Sequence, residues 1–467
     1  MSVTGGTGVD AITFITSVLT NVTVDGGTNT GDSIAAVPAG ANVATFKDMD
    51  TVSLAAGTGT TSYTISGTTA TAVTAQTVGT GSTITSTSTA LTTVSQTATV
   101  AIALAGTGAF SISGGTTGAI TSTGSGQLTV TSSANAQTVT SSAPTTVDAT
   151  LLAAALTIDG TGAFTVNKLG TAASSSVTEV GNASHSGAVT INTATSGSNT
   201  IAITEVSGAT GAVTVNALGS TGLITLTALA SHASQTINMG TGTALTVDAA
   251  STSTAYGVTM TGSGSHTYIG DVTATSGEAP VDTIDASAAT GTTAITGGLG
   301  NDIIKLGAAT DTVVFTAAAT NGADTINSFT VGAGGDVLKV TALATLIGTG
   351  AAGGIAVTNG IYVGAVSTAK GDTAVSKVVV IGAADNAAAD WSTVVAKIGG
   401  ALTVAADGTA ANAATTVLIS NGTDVRVYLF SDDGTSNITV ETGELTLVGT
   451  VTAITAANLV ESNFSIA

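Results

Sequence analysis

The sequence predicts an all-β chain, an elongated β-solenoid or β-sandwich body with one C-terminal helix, and three observations carry that expectation. Thr, Ser, Ala and Val dominate a chain with 60 glycines and only 3 prolines, and small and β-branched side chains suit strands while offering helices little. Apolar residues alternate with Thr or Ser over short runs that end in Gly-containing turns, as in ATVAIALAG, which is the period of a half-buried strand. Loosely similar phrases return every roughly 15 to 25 residues, a spacing that fits both solenoid coils and successive hairpins of a sandwich and leaves the two open.

Charge narrows the function classes. Eight Lys or Arg stand against 28 Asp or Glu, a formal net charge of −20, so positive charge is too scarce to neutralise a row of phosphates and nucleic acid is excluded as a partner. No run of 18 or more apolar residues predicts a transmembrane segment. The opening MSVTGGTGVD lacks a basic stretch followed by an apolar one, so no Sec-type signal is expected. With no cysteine in the chain, disulfides and thiolate metal sites contribute nothing. Stability must come from strand ladders, packing and bound ions.

Four sections follow from the texture of the chain. Residues 1–50 form an acidic, Gly-rich N-terminal section. Residues 51–275 form a Thr/Ala/Gly-rich strand body, within which 51–147 hold no Asp, Glu, Lys, Arg or His. A solvated surface normally carries charge, so that stretch points to burial in an assembly, glycan cover, or a Thr/Ser-coated surface. From 148 to 275 the phrases ALTIDGTGAFTVNKLG, GAVTINTATSGSNTIAITEV and GAVTVNALGSTGLITLTAL each read as strand, turn, strand. Residues 276–345 carry the chemistry-bearing motif, and 346–467 form a C-terminal section. In the last, NAAADWSTVVAKIGG predicts the helix, with Asp390 as N-cap, Trp391, Val394, Val395 and Ile398 on one face and Gly399 as the stop.

The motif is Gly297-Gly298-Leu299-Gly300-Asn301-Asp302-Ile303-Ile304-Lys305, which fits the nonapeptide G-G-x-G-x-D-x-U-x at every fixed position. The glycines permit a tight turn with inward carbonyls, the sixth residue adds a carboxylate, and the last three begin a strand whose apolar member faces the core. Calcium takes six to eight hard oxygens, so one such turn supplies about half a cage and a neighbouring coil must complete it. Nine residues on, Asp311 and Val313 occupy the sixth and eighth places, and nine back Ile295 aligns with Ile304. The N-terminus holds a second match, Gly5-Gly6-Thr7-Gly8-Val9-Asp10, and a looser one, Gly26-Gly27-Thr28-Asn29-Thr30-Gly31-Asp32, whose acid falls one place late. Residues 11–19 also fit a short amphipathic helix.

With its lead-in VDTIDASAATGTTAITGGLGND and its exit GADTINSFTVGAGGDVLKV, this region resembles the short β-roll of the RTX calcium-binding proteins. The chain as a whole resembles the type-I-secreted bacterial surface-layer proteins of that group. The resemblance implies a bound Ca2+ at Gly298, Gly300, Asp302, Asp311, Asp285, Asp324 and Asp336, with Asp10 and Asp32 in the N-terminal copies. TTVLISNGTDVRVYLFSDDGTSNITVETGELTLVGTV is similar to the end domain of such proteins, which carries Tyr428, Asp432, Asp433, Asn437 and Glu444 over as fold or calcium residues. Asp432 and Asp433 also read as a solvated turn. The ending ANLVESNFSIA resembles an uncleaved type I export signal, implying an extracellular, cell-surface location.

No catalytic constellation is present: H-E-x-x-H, G-x-S-x-G, a P-loop and C-x-x-C are all missing. His185, His232 and His266 lie far apart in sequence and read as solvent-facing turn residues, so an enzyme is not expected. The leading expectation is a secreted structural protein whose partner is itself, in a calcium-dependent surface layer or extracellular array, with cell-surface polysaccharide as a further partner. The alternative is a calcium-dependent adhesin or matrix protein acting without a lattice. Asn21, Asn182, Asn421 and Asn437 stand in N-x-S/T sequons that read as chance matches.

Overall fold

The structure is a computed structural model. It describes residues 1–14, 19–37, 42–54, 61–75, 83–96, 101–114, 119–131, 137–152, 154–169, 175–179, 186–193, 201–204, 211–217, 224–227, 235–239, 244–248, 257–270, 279–316, 321–340, 361–365, 378–382, 414–420, 423–431, 445–454, 458–459 and 461–465. Two compact units, Met1–Gln235 and Thr236–Ala467, divide the chain. Among the described residues the secondary structure is strand apart from the 3-10 turn Glu461–Asn463. The helix expected over 390–399 lies outside them.

In the first unit each strand from Ser2–Thr4 to Ile201–Thr204 pairs in parallel with the strand two places on, which makes a β-solenoid and excludes a sandwich. One ladder runs through Ser2–Thr4, Thr20–Asp25, Val43–Lys47, Ser62–Ser66, Thr83–Ser86, Ala101–Leu104, Ala119–Ser122, Gln137–Ser141 and Ala155–Asp159. The other runs through Ala11–Ile12, Ser33–Val37, Thr51–Leu54, Thr71–Ala75, Thr92–Gln96, Phe110–Gly114, Leu128–Thr131 and Thr145–Asp148. Ala11 and Ile12 pair with Ser33 and Ile34, so the helical alternative for 11–19 does not hold at its start. There Ile12 lies in register with the buried Ile34.

Alternation along each strand explains the core. Ile34, Val52, Val73, Val94, Ile112, Val130 and Val147 stack in register, one per coil, and all are buried. Each such side chain contributes about 1.5–3 kcal/mol when taken out of water. Phe46 and Tyr63 add an aromatic step, with centroids 5.8 Å apart. Coil length varies without loss of register: Phe110 lies against Leu128, Thr71 against Thr92 and Phe164 against Val189, so the corners absorb the differences. That variation is why the repeat reads as irregular in sequence.

Outward positions show what the uncharged stretch presents. Among the described strands of 51–147 the side chains turned away from the core are mostly Thr, Ser and Ala, for instance Thr64, Thr85, Ala103, Thr121 and Thr140. Its described strands form a solenoid wall rich in hydroxyls. At its corners the coils approach so closely that side chains are excluded: a Cβ on Gly126 would collide with the carbonyl of Gly108. Hence the phrases GTGAF and GSGQL.

The second unit repeats the plan. One ladder takes Gly257–Gly262, Thr283–Ala289, Ile303–Lys305 and Asp324–Asn327, and the other takes Ala244–Asp248, Ser265–Ile269, Thr293–Thr296, Thr312–Val314 and Val337–Lys339. Ladder pairing passes from Gly257–Gly262 to Thr283–Ala289, across residue 275. The C-terminal strands then close both ladders. Leu445–Val451 pairs in parallel with Asp324–Asn327, and Phe464–Ser465 with Val337–Lys339. Val425–Ser431 runs antiparallel between Leu445–Val451 and Ala414–Ser420, with Tyr428 buried.

Candidate metal centre

Five strands of the second unit are entered through Asp-x-apolar: Asp282-Thr-Ile, Asp302-Ile-Ile and Asp324-Thr-Ile on one side, Asp311-Thr-Val and Asp336-Val-Leu on the other. The strand's apolar residue is drawn into the core, and the Asp two places earlier is drawn in with it. Asp282, Asp302, Asp311, Asp324 and Asp336 are all buried. A buried carboxylate needs partners, and the neighbouring coil supplies them. Asp302 Oδ1 accepts the backbone N–H of Asp282 at 2.7 Å, and Asp324 Oδ1 accepts that of Asp302 at 3.1 Å. Opposite, Asp336 Oδ1 accepts the Asp311 N–H and Asp311 Oδ1 accepts the Thr293 N–H, both at 2.8 Å. The result is two ladders of carboxylates, one rung per coil.

The glycines of the nonapeptide make room for the second oxygen. A Cβ on Gly297 would collide with Asp302 Oδ2 and stand 3.0 Å from Asp324 Oδ2, so the sixth-place acid folds back over the first-place glycine. Gly298 and Gly300 both adopt positive φ, 94° and 113°, a conformation that favours glycine. Gly307 repeats the device, donating its N–H to Asp311 Oδ2 at 2.8 Å.

The second oxygens are unevenly satisfied. Asp282 Oδ2 accepts the Tyr268 hydroxyl at 2.7 Å, and Asp324 Oδ2 accepts Asn321 Nδ2 at 3.3 Å. Asp302 Oδ2 is buried and has no hydrogen-bond partner. Burial, with the charge of Asp282 adding to it, pushes the Asp302 carboxyl up to about 7. Burial and the adjacent Asp302 push Asp324 up to about 9. Asp336 is likewise raised, by burial first and by Asp311 second. Two carboxylates crowded beside one glycine therefore resist ionising together unless positive charge joins them.

The N-terminal copies fold the same way. Asp32 Oδ1 accepts the Asp10 N–H at 2.8 Å, and Asp50 Oδ2 accepts those of Gly31 and Asp32 at 2.9 and 3.0 Å. Asp32 Oδ2, like its counterpart at Asp302, is buried without a partner. Its distance to a Cβ on Gly26 would be 3.0 Å. The acid one place late in the looser motif still reaches the corner.

Other expected site residues lie elsewhere. Asp285 faces outward from Thr283–Ala289, accepting the Ser287 N–H at 2.9 Å and standing 3.7 Å from Lys305 Nζ. Asp432, Asp433, Asn437 and Glu444 fall outside the described residues, as do His185 and His232. His266 is buried on Ser265–Ile269 rather than solvent-facing, because its ladder position between Leu245 and Thr293 is an inward one. Its Nε2 lies 3.1 Å from the Thr261 carbonyl.

Asp50, Asp282, Tyr268, Asn321 and Asn463 were not legible from the glycine template. Asp50 and Asp282 share the D-x-apolar signature without the glycines. Asn463 closes the second ladder from 127 residues away, donating to the Asp336 carbonyl at 2.8 Å.

The donors present are all oxygen, the kind a hard cation takes, and an orphaned buried carboxylate oxygen lies beside a second carboxylate. In kind they fit calcium. In number they are fewer than a full shell: among the described residues no three His, Cys, Asp or Glu side chains converge on one point. No protein-family model matches the chain, and no curated protein matches it.

Proposed function

We propose that this chain is a secreted structural protein that binds calcium at its acidic corners and self-assembles into a surface layer or extracellular array. The observation that carries the reading is the Asp302–Asp324 corner, where a buried carboxylate oxygen lacks a partner beside a second carboxylate. Asp302 and Asp324 would hold the ion, and Asp10 and Asp32 offer a second corner of the same build. Calcium bound there supplies the positive charge that lets both carboxylates ionise inside the fold.

The rest of the mechanism belongs to the chain. At low calcium ionising Asp302 and Asp324 works against burial and against each other, which weakens the folded corner relative to the unfolded chain and suits passage as an extended chain through a type I exporter. Binding to the folded state alone stabilises it by mass action. The corner it stabilises is the one on which Leu445–Val451 rests, since Asn321 bridges Asp324 Oδ2 and the Val448 carbonyl. Calcium and closure of the C-terminal strands are thereby linked.

A calcium titration of the purified protein, followed by circular dichroism and negative-stain microscopy with Asp302→Ala as comparator, tests the reading. Ordered sheets or filaments that appear with calcium and weaken in the variant support it. Protein that folds but stays monomeric with or without calcium sinks it and favours the adhesin or matrix reading.

A further inference from the structure

We infer that the outward face of the first ladder, across Val43–Lys47 to Ala155–Asp159, is the surface on which two copies of this chain meet. The inference rests on the self-assembly reading and names the surface it uses. In a protein of net charge −20, copies approach most easily through a region without acids, because carboxylates facing carboxylates are repulsive. This face is such a region. In register, one residue per coil, it presents Thr45, Thr64, Thr85, Ala103, Thr121 and Thr140.

Charge returns at the margins, where Lys47 is already ion-paired within its own chain to Asp25, its register partner one coil out, at 2.7 Å, and stands 3.6 Å from Asp48. Lys47 closes the face at one end, and Asp159, the next in register after Thr140, closes it at the other. Both turn outward. Counting coils inward from each margin, Ala103 is the midpoint. A two-fold pair that reverses coil order therefore centres Ala103 on the partner's Ala103 and brings the Lys47–Asp25 ion pair toward the partner's Asp159.

Size and chemistry agree with a reversible contact. Six steps of about 4.8 Å by five residues of about 3.3 Å make a face of about 30 × 16 Å, so a pair buries on the order of 1,000 Å². That is at the low end of specific interfaces, the range in which a lattice gains its strength from repetition. Thr and Ala lose little rotamer freedom on packing, and their regular array offers no bulky side chain to hold two walls apart.

The experiment is a charge swap at the midpoint. Ala103→Glu and Ala103→Lys are made in the full chain, and circular dichroism and calcium binding by calorimetry verify that fold and corners are unchanged. Self-association is read by sedimentation velocity and negative-stain microscopy. Each variant alone is expected to weaken self-association about 10-fold or more, and an equimolar mixture of the two to restore it. Undiminished assembly of both variants overturns the inference, as does a mixture that fails to recover. Wild-type protein that stays monomeric at every calcium level removes both the assembly reading and this one. If it instead binds a cell-surface polysaccharide and Ala103→Glu does not, the face belongs to a glycan. Assembly that needs no calcium yet is lost in Ala103→Glu keeps this face while overturning the calcium reading.

Discussion

The corners around Ser86–Thr92 and those around Asp282–Asp336 solve one problem with opposite chemistry. Each must satisfy backbone groups where a coil turns. In the neutral region the hydroxyls do it among themselves: Ser86 Oγ and Thr92 Oγ1 lie 3.0 Å apart, and Ser88 Oγ accepts the Ala90 N–H at 3.1 Å. In the acidic region carboxylates do it, at 2.7–3.1 Å, and one buried oxygen is left over. The Ser86–Thr92 corner is complete by itself, whereas the Asp302–Asp324 corner is complete only at the right charge. The same fold thus carries permanent joints and conditional ones.

The largest expected effect separates the two directly. On chelation at pH 8, hydrogen exchange should speed up by orders of magnitude across 283–340 while amides of 83–147 keep their protection. Equal loss in both regions would erase the distinction. Next comes Gly126→Ala, whose new Cβ collides with the Gly108 carbonyl. A loss of about 3 kcal/mol is expected, read by denaturant melting and indifferent to calcium.

The pH response should carry the sign of the acidic corners. Asp302 and Asp324 titrate near 7 and 9 in the cation-free fold, against about 4 when unfolded. Between those values the folded state holds protons that the unfolded chain has released, so stability falls as pH rises. The chelated protein should melt about 5 °C lower at pH 8 than at pH 5, and the calcium increment should grow over the same window. A chelated protein more stable at pH 8 contradicts this.

Asp302→Asn sharpens the point. It keeps an acceptor for the Asp282 N–H while removing a charge, so the chelated protein at pH 8 should gain about 1–2 kcal/mol and lose its calcium response. Ser86→Ala is the smallest change. It should cost about 1 kcal/mol and leave calcium dependence untouched.

How much was legible follows from what each signal encodes. Alternation with Thr and Ser located the strands because inward and outward faces differ in every coil. Solenoid and sandwich could not be told apart because corners of unequal length hide the register: Val166 pairs with Ile191, yet Val130 with Val147. The Gly-Gly template found Asp10, Asp32 and Asp302 because the acid folds over the first glycine. Asp50 and Asp282 escaped it because their corners hold the carboxylate without that glycine. Asn463 and Asn321 escaped for another reason, since their partners Asp336 and Val448 lie 127 residues away, a separation on which local pattern is silent.

The strictly parallel ladder of the first unit also sets how that unit bears a load. Among the described strands Ser2–Thr4 pairs with Thr20–Asp25, and each later strand of its ladder with one neighbour on either side. Traction on Met1 therefore meets the bonds of one strand at a time and strips the wall coil by coil. Resistance is low and nearly constant, and slack is released in lengths of about 20 residues, as rope is paid out from a drum.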